Sequence, residues 1–283
     1  MKLAAATVLL AGASIAAVVW YGTNDARAPE LCPAGLLRLG PRCCGEGQSL
    51  DGGACRGAPS RCAATQNPSA QGCVLVGESI VLPQGRVLGV PTDWDDTSSR
   101  EPPAELAAFA IDRGEVVERS YAECVAGGGC EVAPMRGEPG LPQTNVTAKQ
   151  AASYCGWRGG ALPSAAQFAY AAMGRQGRRY PWGDAGAVCR RVAYGLATGP
   201  CGQGATGPQL AGSHPSGATP EGILDLAGNV EEWVTSPGGF EARGGSWAEA
   251  SVTALRSFSA RAMPSDGRSP ALGFRCVYAA SGQ

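Results

Sequence analysis

The chain has 283 residues, of which 44% are hydrophobic, so it is long enough and apolar enough to bury a core. Its net charge of -1 argues against a nucleic-acid binder, because such proteins concentrate Lys and Arg to neutralise phosphates. Its 42 glycines and 21 prolines predict a loop-rich fold, stabilised by cross-links, bound ions or aromatic packing rather than by long helices.

An uncharged apolar segment, residues 3–21, stands near the N-terminus. A helix of this length reaches about 28 Å, which is just enough to cross a bilayer. Lys2 precedes the segment, so the positive-inside rule keeps the N-terminus in the cytoplasm and exports the rest of the chain. We predict that residues 1–28 are a signal anchor and short linker, with the remainder on the outer or periplasmic side. The alternative is a cleaved signal peptide and a secreted protein.

Residues 29–73 contain six of the twelve cysteines among many Gly, Pro and Ser residues and few large apolar ones. This stretch cannot bury a core of its own, and in an exported protein it is typical of a small module held by disulfides. The sequence leaves the pairing of these cysteines open. They are Cys32, Cys43, Cys44, Cys55, Cys62 and Cys73.

A second domain is predicted over residues 74–283. Its first segments, 74–76, 79–82 and 108–112, have the apolar and alternating patterns of strands. A short helix is predicted over residues 118–125, and it ends at three consecutive glycines. Cys124 and Cys130 flank that glycine turn at a spacing suited to a local disulfide.

Two further helices are predicted from capping boxes, in which a Ser or Thr precedes a Gln by three residues. Thr147 and Gln150 begin a helix that runs to about Trp157 and stops at the glycines that follow. Ser164 and Gln167 begin the next helix, residues 165–173. Residues 180–184 (YPWGD) are then predicted to form an aromatic turn.

Several chemistries are excluded by the residues that are missing. His214 is the only histidine, so a His-rich zinc or non-haem iron site cannot be built, and we predict an exposed loop position for it. No glycine-rich phosphate loop links a strand to a helix. Glu231 and Glu232 are adjacent and point in different directions, which favours a solvated or ion-binding role over an acid/base pair.

An ordered series of sequence blocks runs through the second domain. The blocks are 109–116 (FAIDRGEV), 145–155 (NVTAKQAASYC), 162–168 (LPSAAQF), 180–184 (YPWGD), 228–233 (GNVEEW), 243–247 (RGGSW) and 272–276 (LGFRC). Through this series the chain resembles, from residue 74 to residue 278, the formylglycine-generating enzyme family, also called sulfatase-modifying factors. The resemblance implies an α+β, C-type-lectin-like fold with unusually little regular secondary structure.

The resemblance also implies which cysteines pair. Cys155 and Cys276 match positions that form a disulfide in the family, which would tie the first capped helix to the last strand. A second family disulfide has no counterpart, because Ala172 and the region of Ser259 stand at its two ends. We also predict a disulfide between Cys189 and Cys201.

One calcium site is implied by the resemblance. Its ligands would be the side chains of Asp225 and Glu232 and the backbone carbonyls of Gly228 and Val230, an all-oxygen set of the kind that Ca²⁺ prefers. The alternative is that Glu232 caps or pairs locally. A second family site needs an Asn where this chain has Ala193, so we expect a single structural calcium ion.

The family's catalytic chemistry is not expected here. Members oxidise a substrate cysteine to formylglycine with Cu(I) held by two cysteines that follow the Gly-Gly-Ser block, since soft thiolates select Cu(I). Residues 248–261 contain no cysteine, and the matching positions fall near Glu249 and Ala254. Glu231 also replaces a tryptophan of the active groove, although Ser246 is retained. We expect no bound copper.

We therefore predict a non-catalytic, membrane-tethered binding or structural module of the cell envelope. Its partner would be a protein, peptide or glycan and not a nucleic acid. One alternative is a superfamily enzyme with non-copper chemistry on a small molecule or peptide, using Glu231, Ser246, Glu249 and Arg256. Another is an anchoring protein whose working part is residues 32–73. The predicted groove is lined by Glu231, Trp233, Ser246, Trp247, Glu249, Arg256 and Arg261, unless Trp233 and Trp247 are simply core aromatics.

Overall fold

The computed structural model describes residues 36–40, 42–45, 47–52, 54–57, 66–69, 72–75, 78–87 and 103–280. The predicted anchor, residues 3–21, lies outside these ranges. Within them, no helix combines the length and apolar character needed to cross a bilayer.

The described part of the cysteine-rich stretch consists of three two-stranded antiparallel hairpins, β1–β2, β3–β4 and β5–β6. Cys44 is buried and disulfide-bonded. Because β6 continues past Cys73, the predicted boundary before residue 74 falls inside this strand. The strands are β1 Leu36–Leu39, β2 Arg42–Gly45, β3 Ser49–Asp51, β4 Ala54–Arg56, β5 Gln66–Ser69 and β6 Gly72–Leu75.

Two sheets form the centre of the second domain. The first is three-stranded and antiparallel, in the order β15-β10-β7, and it joins the last strand of this domain to β7, the first strand that lies wholly inside it. The second is four-stranded, in the order β13-β12-β11-β14, and β14 is its one parallel member. A separate hairpin pairs β8 with β9. These strands are β7 Ser79–Leu82, β8 Gly85–Val87, β9 Ala104–Leu106, β10 Phe109–Asp112, β11 Glu231–Ser236, β12 Gly239–Arg243, β13 Ala260–Met263, β14 Leu272–Gly273 and β15 Val277–Ala279.

The three predicted helices are confirmed as α1 Glu118–Ala126, α2 Ala148–Trp157 and α3 Ala165–Met173. Both predicted capping boxes are formed, with side chain and backbone bonded in each direction. A one-turn 3-10 helix, Pro215–Gly217, follows in the long connection to β11. Short helices, short strands and long connections confirm the prediction of an α+β fold rich in loops.

The core lies between the helices and the two sheets. On one side, Phe168 of α3 is fully buried among residues of β7, β10 and β11. On the other, Tyr121 of α1 stacks on Tyr154 of α2 with ring centres 5.8 Å apart, and Phe274 meets Tyr154 edge-on at 5.4 Å. Such aromatic contacts add to area burial, so they supply stability that few backbone ladders provide.

All three disulfides predicted in this domain are confirmed. Cys155–Cys276 joins α2 to the segment before β15 with a Cα–Cα distance of 5.4 Å, and Cys124–Cys130 closes the glycine turn after α1. Cys189–Cys201 links two parts of the connection between α3 and β11. Disulfides constrain the unfolded chain, and the 121-residue separation of the first pair makes its constraint the largest.

Candidate functional site

The block GNVEEW forms a tight turn that delivers its carboxylates into the interior. Asp225 and Asn229 adopt left-handed conformations, with φ of 53° and 57°. Gly228 also has a positive φ, and a Cβ there would collide with Val192 and the Ala193 carbonyl. Only glycine fits such a position without strain. β11 begins immediately afterwards, at Glu231.

Glu232 forms a buried, two-pronged ion pair with Arg275. The Arg275 Nε and Nη2 atoms donate to the two Glu232 carboxylate oxygens at 2.7 and 2.6 Å, and both side chains are at most 1% exposed. The same guanidinium also donates to the Asp112 carbonyl at 3.1 Å and the Leu224 carbonyl at 2.9 Å. A buried ion pair is tolerated when all its polar atoms are satisfied in this way.

Two more carboxylates surround this pair. Glu115 is buried and accepts hydrogen bonds from the Asn229 side chain at 2.7 Å and the Val230 backbone N–H at 3.1 Å. Asp225 accepts from the Gly212 backbone N–H. Burial, and then repulsion from Asp225 and Glu232, hold the pKa of Glu115 well above its usual range.

The pKa values of the two predicted side-chain calcium ligands are also displaced. Burial raises the pKa of Asp225, against the opposing effect of its hydrogen bond from Gly212. Burial likewise raises the pKa of Glu232, although Arg275 opposes this. Burial alone would lower the pKa of Arg275, but Glu232 raises it above its usual value. The cluster therefore holds more acidic groups than its single guanidinium can balance.

The predicted calcium ligands have the oxygen chemistry that Ca²⁺ prefers, but their side chains already accept hydrogen bonds from other residues of the protein. Asp225, Glu232 and two backbone carbonyls are hard oxygen donors beside an excess of buried carboxylates. However, both Glu232 oxygens already bond to Arg275, as in the alternative of local pairing. No group of three or more His, Cys, Asp or Glu in the described ranges is arranged to hold a metal ion. Calcium binding stays a prediction.

Copper does not fit the residues that follow the Gly-Gly-Ser block. Glu249 and Ala254 stand there, and neither is a soft ligand. In the part of the chain that the structure describes, every cysteine is engaged in a disulfide, so no thiolate is available to bind Cu(I).

Four of the seven predicted groove residues are buried, namely Glu231, Trp233, Ser246 and Trp247. Trp233 is fully buried in the core between the four-stranded sheet and α1–α2, where its Nε1–H donates to the Val146 carbonyl at 3.0 Å. Ser246 is 2% exposed and Trp247 is 8% exposed. Trp247 is fixed by its backbone N–H, which donates to the Asn229 carbonyl at 2.8 Å. The burial of Trp233 and Trp247 agrees with the alternative that they are core aromatics, and the groove stays a prediction.

Three charged residues of the predicted groove, Glu231, Glu249 and Arg261, interact electrostatically. Arg261, on the edge strand β13, forms an ion pair with Glu231 at the start of β11, and their side chains are 53% and 11% exposed. Its hydrogen bond to Glu231 and the nearby charge of Glu249 raise the pKa of Arg261. Glu231, which was predicted to be solvated or ion-binding, is therefore mostly covered and paired.

Arg256 lies on the turn that packs against the Gly-Gly-Ser block. Its guanidinium lies over the Phe258 ring at 6.0 Å from the ring centre. The turn is close to Gly245, where a Cβ would come within 2.8 Å of the Ala254 carbonyl. His214 is half-buried and not fully exposed as predicted, because its Nε2 bonds to the Gln209 side chain at 2.7 Å.

Sequence reasoning missed the partners that organise the buried cluster. Glu115, Asn229 and Arg275 all lie inside recognised blocks, so the blocks were a signal that these residues matter. Their pairing was not visible, because Glu115 meets Val230 across 115 positions and Arg275 meets Glu232 across 43.

Known proteins resemble this chain over parts of their length. An "Inactive C-alpha-formylglycine-generating enzyme 2" from Mus musculus is 35% identical over 158 residues, covering 50% of each chain. A "Hercynine oxygenase" from Mycolicibacterium thermoresistibile is 36% identical over 104 residues, covering 35% of this chain and 22% of the relative. The chain therefore spans half or less of the length of these two curated relatives.

Solved structures show the same fold. PvdO from Pseudomonas aeruginosa superposes with a TM-score of 0.58 at 22% identity, over 72% of this chain and 95% of PvdO. Treponema denticola variable protein 1 gives 0.56 at 17% identity, over 73% and 98%. At these identities the likeness concerns the fold alone. Residues 65–280 match the family described as "Sulfatase-modifying factor enzyme 1-like domain", and the chain belongs to that family.

Proposed function

We propose that this protein is a non-catalytic binding module, exported and tethered at the cell envelope. Its groove, built from Glu231, Glu249, Arg256 and Arg261 above Trp233, Ser246 and Trp247, would hold a protein, peptide or glycan. The observation that carries the proposal is the donor chemistry after the Gly-Gly-Ser block. The scaffold is intact there, whereas Glu249 and Ala254 supply no copper ligand.

Two features of these residues support a binding surface. Its base is rigid, because Trp247 is held by Asn229 and the turn after Ser246 packs closely on Gly245. Its rim is polar and partly exposed, as in the Glu231–Arg261 pair. A buried, well-packed base with a charged rim is how protein surfaces fix an incoming ligand without chemistry.

Export is supported by the cross-links. Three disulfides in one domain persist in an oxidising compartment and are rare in the cytosol. The apolar segment at residues 3–21 would supply the tether, or would be removed if the protein is secreted. A single calcium ion at Asp225 and Glu232 would have a structural role in this proposal.

Two measurements test the proposal. The first is incubation with Cu(I) and a peptide that carries a Cys-x-Pro-x-Arg motif, followed by mass spectrometry. We expect no aldehyde, and formylglycine formation would overturn the proposal. The second is partner capture with E249A, R256A and R261A variants. We expect weaker capture, and unchanged capture by all three would mean that the groove is not the binding surface.

A second candidate is an enzyme of the superfamily with different chemistry. The similarity to a protein named hercynine oxygenase favours it. Glu231, Ser246, Glu249 and Arg256 would then be the candidate groups. Metal analysis of the purified protein separates the two candidates. Stoichiometric iron or copper would favour the enzyme, whereas calcium alone would favour the binding module.

A further inference from the structure

The two arginines of the groove are in different electrostatic states. Arg261 is neutralised by Glu231 and lies near Glu249. The Arg256 side chain, in contrast, forms no ion pair with the described residues, and its Nε is buried without a hydrogen-bond partner. The Arg256 guanidinium lies over the face of the Phe258 ring.

The position of Arg256 is fixed by the turn around it. Leu255 and Phe258, on either side, are fully buried and belong to two different parts of the core. The Arg256 backbone N–H donates to the Thr253 carbonyl at 3.2 Å, and its carbonyl accepts from Ser259 at 2.8 Å. The Ser257 backbone N–H is held by the Arg179 carbonyl at 2.9 Å. The guanidinium is therefore presented by a constrained segment.

A constrained guanidinium without an ion pair is suited to bind an acceptor from a ligand, and its Nε is buried without a hydrogen-bond partner among the described residues. Burying a polar donor without a partner is unfavourable, and the planar fork of Arg matches a carboxylate through two parallel hydrogen bonds. The hydroxyl of Ser257, in the same turn, is also buried without a hydrogen-bond partner in the part of the chain that the structure describes. Among the described residues Arg256 is a single cation without an ion pair, and one positive charge matches a singly charged carboxylate better than a phosphate dianion.

We propose that Arg256 is the specificity-determining residue of the groove and that it recognises a carboxylate of a peptide ligand. The inference rests on the proposed binding function and specifies its ligand. The carboxylate comes from an acidic side chain or from a free C-terminus. Arg261, already paired with Glu231, contributes shape and not charge recognition.

The test is binding of the purified full-length protein to an array of synthetic nonapeptides. Each peptide carries a central Glu, Gln, Lys or phosphoserine, with either a free or an amidated C-terminus. We expect the Glu peptides to bind about tenfold or more tightly than the Gln peptides, because a charge-assisted hydrogen bond is lost in the latter. If the carboxylate is that of the C-terminus, peptides with a free C-terminus should bind more tightly than amidated ones, whatever the central residue.

Variants test whether Arg256 causes the preference for peptides that carry a carboxylate. R256Q is expected to abolish it and R256K to retain part of it, whereas R268A is the matched control, since the Arg268 side chain donates to the Asn145 carbonyl. Melting temperatures of the variants verify that each is folded. A preference that survives R256Q, or peptide binding that ignores charge, overturns the inference but leaves the binding function standing. Failure of every peptide and of a glycan array to bind overturns both.

Discussion

Arg275 and Glu232 form a fully buried ion pair in which the Arg275 Nε and Nη2 atoms bond to the two carboxylate oxygens of Glu232. The pair joins the segment after β14 to the start of β11. It also connects two of the recognised sequence blocks, GNVEEW and LGFRC. Since Arg275 additionally bonds to carbonyls of Asp112 and Leu224, one side chain holds together four segments of the domain.

Removing Arg275 should therefore be severely destabilising. R275M leaves the Glu232 charge buried without its partner, and we expect a loss of about 3–5 kcal/mol in the free energy of unfolding. Urea denaturation measures it. The double variant R275M/E232L removes both charges and should lose less than the sum of R275M and E232L. Additive losses would contradict the coupling of the two residues.

The second prediction concerns the hydrogen bonds that the Asp112 carboxylate accepts. It accepts from the Tyr278 hydroxyl at 3.0 Å and the Cys276 backbone N–H at 2.9 Å. D112N can still bond to both, because its oxygen faces the N–H and its amide can donate to the tyrosine oxygen. D112A leaves the buried N–H of Cys276 unpaired and should be less stable than D112N by about 1–3 kcal/mol.

Burial raises the pKa of Asp112 above its ordinary value of 3.8. A carboxyl whose pKa is raised on folding favours the protonated folded state, so its contribution to stability falls as the pH rises from about 4 through the folded-state pKa. The D112N variant has no carboxyl at this position, so it does not lose stability in this way as the pH rises. The stability of D112N relative to the unmodified protein should therefore increase between about pH 4 and pH 7, measured by urea denaturation at each pH. A difference that does not vary with pH would contradict the shift.

Removal of the two disulfides that involve α1 and α2 should lower the free energy of unfolding by different amounts. Cys155–Cys276 closes a separation of 121 residues and Cys124–Cys130 one of 6. On chain entropy alone, C155A/C276A should lose about 5 kcal/mol and C124A/C130A about 2 kcal/mol of unfolding free energy. Thermal denaturation under non-reducing conditions compares them. A larger loss for the short loop would mean that local packing outweighs chain entropy here.

Calcium should stabilise the domain if the predicted site exists. Free calcium at about 100 times its dissociation constant should add about 2.7 kcal/mol to the free energy of unfolding, because it binds the folded state alone. D225N should abolish the increase in melting temperature. Magnesium is the matched control ion, since it requires a smaller octahedral site. The same melting curve with calcium and with a chelator would remove calcium from the description of this protein.

Local pattern predicted the helices well. The capping boxes Thr147–Gln150 and Ser164–Gln167 depend on residues three apart, so the sequence contains all of the geometry that they need. The Cys155–Cys276 disulfide was predicted through family resemblance, which carries long-range information that a single pattern lacks. The role of Trp233 could not be predicted in this way. An aromatic residue beside a charged motif suits a binding surface or a core equally, and its complete burial decides between them.

The sequence by itself determined the family, the fold class and the absence of cysteine from residues 248–261, because these follow from which residue types stand in an ordered series of blocks. Only the tertiary structure decided how the charges combine. It pairs Glu232 with Arg275 and Glu231 with Arg261, and among the described residues it leaves the Arg256 Nε without an acceptor. The physical reason is that electrostatic energy depends on distance and burial, and both are set by segments that are remote in the chain and adjacent in the fold.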